Sequence, residues 1–274
     1  MTIIPKSFRI LSVGQFTLAF IFLVWLLLGG GPLFAWPVQP YLTAVFIGAA
    51  YVLRVFVGVS ILRAQDWYRL RWVIWGNYAF LAVILIATFW HAEQMNWKTN
   101  IILAHIWILI YIFEPLVLPF LGPYGPETKA PVPPEKSEGP LLEGLKRVLI
   151  GVVMVNATIA GLLIINPEFM NTRWPWPLDP FNARIMAAWP AAVAVWCGTL
   201  ALAKDWAEIK MGAQAVLIFA GSLFVAWLVT LPQYDQYAPA HPNKWTYGVL
   251  IAVQLILLAF YYWRQEQARV KKSA

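Results

Sequence analysis

Two side chains of opposite charge stand inside long uncharged runs, where ionised groups are costly and are paired, snorkel to a surface or serve a pathway. They are Arg54 and Glu114. Arg54 falls about nine residues from one end of its run and Glu114 about seven from the same side of its own, so at 1.5 Å per helical residue their depths nearly match. A buried ion pair is the expected arrangement. Two alternatives stay open: Arg54 reaching back to the surface while Glu114 meets water at a helix break made by Pro115 and Pro119, or a substrate or proton pathway.

Of the histidines His91, His105 and His241, only His105 lies well inside an apolar run. Imidazoles in a helical bundle can ligate haem iron or a chlorophyll magnesium. His91 and His105 would sit at different depths of one hairpin, which suits neither a shared iron nor a bis-histidine plate. His105 is therefore read as a polar side chain hydrogen-bonded in the bundle, with metal or haem ligation as the alternative; the cofactor is unknown and none is strongly implied. The amides Asn77, Asn156, Gln214 and Gln254 can tie helices together. The single cysteine, Cys197, cannot form an internal disulfide or a thiolate cluster. No nucleophile stands with a base, no His and Glu share a helix face, no phosphate-binding glycine loop occurs, and no lysine lies in the last apolar run to hold retinal.

The elements that must position these groups follow from composition. Hydrophobic residues make up 61% of the 274 and charged residues 12%, against about 45–50% and 25% in soluble domains. The expected fold is all-α and polytopic. Eight runs are long enough to cross about 30 Å of hydrocarbon: residues 10–29, 41–62, 70–90, 100–121, 146–165, 181–202, 209–231 and 246–263. A basic flank before the first run raises a cleaved signal, but the pattern at Leu33-Phe34-Ala35 is poor for cleavage and the run has a counterpart later in the chain.

Lys and Arg crowd one set of connecting segments, from Lys6 and Arg9 to Lys271 and Lys272, while the other set holds Lys98, Arg173 and Lys244, with Arg184 just inside a run. Cytoplasmic loops retain the cations, so both termini are expected in the cytoplasm. The net charge of +7 is too small and too scattered for nucleic acid; the bilayer is the expected partner, with other membrane subunits as a further possibility.

An internal repeat organises the chain. Trp36-Pro37-Val38-Gln39-Pro40-Tyr41 and Trp176-Pro177-Leu178-Asp179-Pro180-Phe181 share Trp-Pro-x-x-Pro-aromatic. Downstream of each comes Asp66-Trp67 with Arg71, or Asp205-Trp206 with Lys210; later Asn96-Trp97-Lys98-Thr99 matches Asn243-Lys244-Trp245-Thr246. Two tandem four-helix units are expected, 1–121 and 144–265, joined by a Pro-rich cytoplasmic linker at 122–143 and followed by a basic tail at 266–274. Four spans return the chain to its starting side, so the units share one orientation and an approximate two-fold along the membrane normal.

The repeated motifs read as interfacial corners. Pro40 and Pro180 open helices, Asp179, Asp66 and Asp205 cap them, and Trp36, Trp176, Trp67 and Trp206 rest at headgroup depth. Arg71 and Lys210 then reach toward anionic lipid. Of the deeper rings, Trp75, Trp107, Trp189, Trp196 and Trp227 can pack between helices, and Pro190 predicts a kink. The stretch Trp174-Pro175-Trp176-Pro177-Leu178-Asp179-Pro180, with Asp205-Trp206 downstream, resembles sequences of bacterial membrane proteins, which implies a bacterial cytoplasmic membrane and no particular activity. The expected role is a scaffold or accessory subunit without a catalytic site; the alternatives are a transporter using the groove between the units and a haem- or pigment-binding protein.

Overall fold

Proline and aspartate set the helix boundaries. In the computed structural model, which describes residues 4–64, 67–121, 138–237 and 243–273, every regular element among the described residues is helical. The first half contributes α1 (Lys6–Leu27), α2 (Tyr41–Arg63), α3 (Arg71–Trp90) and α4 (Ile101–Leu121). The second contributes α5 (Glu143–Ile165), α6 (Pro167–Arg173), α7 (Pro180–Met186), α8 (Ala188–Ala201), α9 (Trp206–Thr230), α10 (Tyr234–Tyr237) and α11 (Lys244–Ser273). Pro40 precedes α2 directly and Pro180 occupies the first turn of α7, where a missing N–H leaves no bond unmade. Asp179 accepts from Asn182 N–H and Asp205 from Ala207 N–H, as capping predicts. Asp66 lies outside the described residues.

Among the described residues six helical stretches are long and apolar enough to cross a membrane: Lys6–Leu27, Tyr41–Arg63, Glu143–Ile165, Pro180–Ala201, Trp206–Gln236 and Lys244–Val270. Two shorter apolar helices, Ile74–Trp90 and Ile101–Val117, lie within α3 and α4. The run at 181–202 is divided between α7 and α8 at Ala187. The proline ring of Pro190 collides with the carbonyl four residues back, that of Met186, and cannot donate to it. The irregularity is confined to Ala187, which keeps helical dihedrals (φ −59°, ψ −23°), so α7 and α8 continue as one stretch. A short helix not anticipated from the sequence, α6, starts where the Asn166 side chain accepts from Phe169 N–H and Pro167 fills the first turn.

Buried residues trace one seam along each peripheral helix. On α4 these are Ala104, Trp107, Tyr111 and Glu114; on α5, Leu145, Leu149, Val152, Asn156, Ala160 and Leu163. Spacings of three and four place each set on one face. The other faces expose Ile102, Leu109, Phe113 and Leu116 on α4, and Ile150 and Met154 on α5. α2 packs against α1 and α9, while α8 packs against α5 and α3. Gly76 on α3 permits the last contact, since a Cβ there would stand 2.0 Å from the indole of Trp196 on α8.

The chain entering α5 is held rather than loose. Trp206 N–H donates to Gly139 O at 2.9 Å, Leu142 N–H donates to Gln265 Oε1 at 2.8 Å, and Gln265 Nε2 donates to Pro140 O at 3.1 Å. Residues 122–137 of the expected linker fall outside the described residues. At the far end α11 continues to Ser273, so the segment expected as a basic tail is helical as far as that residue.

Candidate functional site

Three polar side chains meet among aromatic rings in the first half. Arg54 on α2 holds Glu114 on α4 through Nη2, 2.9 Å from Oε2 and 3.1 Å from Oε1. Asn77 on α3 donates from Nδ2 to Glu114 Oε1 at 2.7 Å and accepts from Arg54 Nη1 through Oδ1. The Glu114 side chain is 3% exposed and that of Arg54 13%. The guanidinium lies 5.0 Å from the centroid of Phe80, a cation–π contact, and Phe80 in turn meets Tyr111 and Trp189. The arrangement matches the ion pair expected from depth. Each charge is satisfied by the other, and one amide closes the triangle across three helices. Low dielectric strengthens such a network and penalises any member left alone. In register with the repeat, the second half has Ala194, Val216 and Tyr261 at these places, so the network belongs to one half.

The repeated tryptophans are not lipid-facing anchors. Trp36 is 0% exposed and Trp176 1%, and Trp67 and Trp206 are equally buried. Trp36 Nε1 donates to Asn182 Oδ1 of α7 at 2.9 Å, and Trp176 Nε1 donates to Thr43 Oγ1 of α2 at 2.8 Å. Each half thus donates one indole hydrogen bond to the other. Around Trp36 stand Trp107 at 4.7 Å and Phe34 at 5.0 Å; around Trp176 stand Trp174 at 5.6 Å and Tyr247 at 5.8 Å. Pro37 and Pro177 are exposed beside them. The ring size and single donor that suit a headgroup boundary serve here as a keyed core contact.

Trp206 Nε1 donates to Glu266 Oε1 at 2.6 Å, and Lys210 pairs with Glu266 Oε2 at 3.0 Å. Lys210 therefore joins α9 to α11 instead of reaching toward lipid. The Arg71 side chain lies outside the described set. Among the deeper rings, Trp107, Trp189, Trp196 and Trp227 are buried as expected, whereas Trp75 is 51% exposed. Gln214 donates to Tyr262 OH at 2.8 Å, and Asn156 Nδ2 points to Gln254 Oε1 at 3.4 Å, both across helices as read from the sequence.

His105 departs from the expected place. It is exposed on α4, off the buried seam, and its Nδ1 is 2.7 Å from Ile101 O of its own helix. His91 lies apart from it, bound at Nε2 to Arg184 Nη1 at 2.6 Å. His241 is outside the described residues. Among the described residues no three His, Cys, Asp or Glu side chains gather as a metal site.

The His91–Arg184 contact was not legible from the sequence, because it joins the end of α3 to α7 across the chain. Arg184 also donates from Nε to Ile164 O at 3.2 Å and stacks 4.2 Å from the Trp90 centroid. A guanidinium only donates, so His91 Nε2 accepts and the ring is neutral. Burial, with Arg184 adding to it, holds the imidazole below its ordinary value, while Glu93 and Asp179 pull weakly the other way. The unfolded chain takes up a proton below about pH 6.5 that the folded chain refuses, so stability falls as pH falls from there. Apparent Tm in detergent should drop between pH 7.5 and 5.5, and His91→Gln should remove roughly a few degrees of that drop.

In comparison with known proteins, the chain matches no protein-family model, no curated protein and no solved structure.

Proposed function

We propose that the chain is a non-catalytic multi-pass membrane protein, a scaffold or accessory subunit of a membrane assembly, in which α3 and α4 also span to give eight crossings. Residues 1–121 and 144–265 form two four-helix units in one orientation, with both termini in the cytoplasm. Exchange supports this reading: α2 of the first unit packs on α9 of the second, and α8 of the second packs on α3 of the first. The indoles of Trp36 and Trp176 cross the seam in the same reciprocal way.

The observation that carries the role is the closed Arg54–Asn77–Glu114 triangle. Each member is bonded to the other two, as in a structural element that fixes three helices, whereas a conduction path needs groups that exchange partners with a passing ion. The groove between the units, which a transporter would use, is occupied by Trp36, Trp176, Tyr51, Trp189 and Phe80, all buried. Purification from native membranes in mild detergent tests the role. A stoichiometric complex containing a defined second membrane polypeptide is expected; a monodisperse lone chain would overturn it.

A further inference from the structure

The two halves differ at the residue that packs on Trp36 in the first. In register with the repeat, Gln254 on α11 stands where α4 has Trp107. Trp107 is fully buried and packs on Phe22, Phe34, Trp36 and Tyr111. With the smaller amide in its place, the second half keeps a half-open cavity of about 200 Å³ lined by α5, α8, α9 and α11, with α6 at its rim. Natural interiors rarely keep such a space, and an apolar one of about 150 Å³ takes up a small apolar guest.

The walls specify the guest. Apolar side chains such as Ile159, Val193, Phe219, Ala220 and Leu250 line the body. The lining runs from Thr246, in the first turn of α11, to Leu258, about 18 Å along the helix. At the mouth stands Arg173, whose side chain is exposed and has no carboxylate partner among the described residues; its guanidinium lies 5.7 Å from the Phe169 ring. Partway down, Asn156 is buried and gives its Nδ2 to Val152 O and Gln254 Oε1.

We propose that this cavity binds one chain of an anionic amphiphile, with its alkyl body along α5 and α11 and its acidic head on Arg173. A long-chain carboxylate and the acyl arm of an anionic phospholipid share this chemistry. The site is independent of the scaffold reading, since it needs neither a protein partner nor the Arg54 network.

Native mass spectrometry of the detergent-purified protein, titrated separately with hexadecanoate, phosphatidylglycerol and phosphatidylcholine, tests it. One saturable adduct is expected with hexadecanoate or phosphatidylglycerol, and which of the two binds identifies the source. Arg173→Gln should raise the Kd about tenfold, the loss of one charge-assisted contact. Ala220→Phe, which fills the cavity with apolar atoms, should abolish the adduct while leaving Tm unchanged or higher. Equal binding of phosphatidylcholine, or an adduct that survives both substitutions in folded protein, would overturn the proposal.

Discussion

Replacing Glu114 with alanine should destabilise the bundle by about 3–5 kcal/mol, because it leaves the Arg54 guanidinium buried without its carboxylate. Folded yield and apparent Tm in detergent report the loss. The same substitution orphans Asn77 Nδ2, which donates to Glu114 at 2.7 Å. Removing all three members together separates a structural pair from a working one. In Arg54→Met, Asn77→Leu, Glu114→Leu protein all three members of the network are replaced by apolar side chains, and exchanging a buried ion pair for packed apolar groups is often neutral or stabilising. The triple variant should therefore recover most of the stability lost by Glu114→Ala alone. It should also keep whatever partner the wild type carries. Loss of that partner from well-folded triple variant would mean that the charges do more than hold helices.

Trp36→Ala and Trp176→Ala are expected to cost about 3–5 kcal/mol each, as deletions of fully buried indoles. The phenylalanine variants isolate the hydrogen bond. Trp36→Phe keeps most of the packing but strips Asn182 Oδ1 of its donor, and Trp176→Phe does the same to Thr43, so about 1 kcal/mol is expected for each. Trp90→Phe, at a residue 58% exposed, serves as the contrast and should change little. An aromatic anchor at a lipid boundary would show the opposite order, with the exposed ring mattering as much as the buried ones. Thermal unfolding followed by tryptophan emission in one detergent resolves the three classes.

These residues also show what a sequence discloses. The Arg54–Glu114 pair could be anticipated because depth along a helix is arithmetic, and two charges at one depth in hydrocarbon have few other partners. Helix starts at Pro40, Asp179 and Asp205 and the irregularity before Pro190 could be anticipated too, since each depends only on neighbours in the chain. The burial of Trp36 and Trp176 could not, because their acceptors lie in the opposite half and residue type alone assigns such rings to a boundary. The partner of Lys210 is hidden for the same reason: Glu266 arrives from α11, far along the chain. For His105 a usable signal existed. Ala104, Trp107, Tyr111 and Glu114 define one stripe on α4 by their spacing, and His105 is not on it.

The parallel orientation of the two units is the claim on which the rest depends, and cysteine labelling tests it directly. In a Cys197→Ala background, single cysteines at the exposed residues Arg63, Lys98, Glu168 and Lys204 sample both ends of both halves. A membrane-impermeant maleimide applied to intact cells should modify Lys98→Cys and Glu168→Cys at once, and Arg63→Cys and Lys204→Cys only after the membrane is opened. Modification of Lys98→Cys and Glu168→Cys from opposite sides would contradict the account.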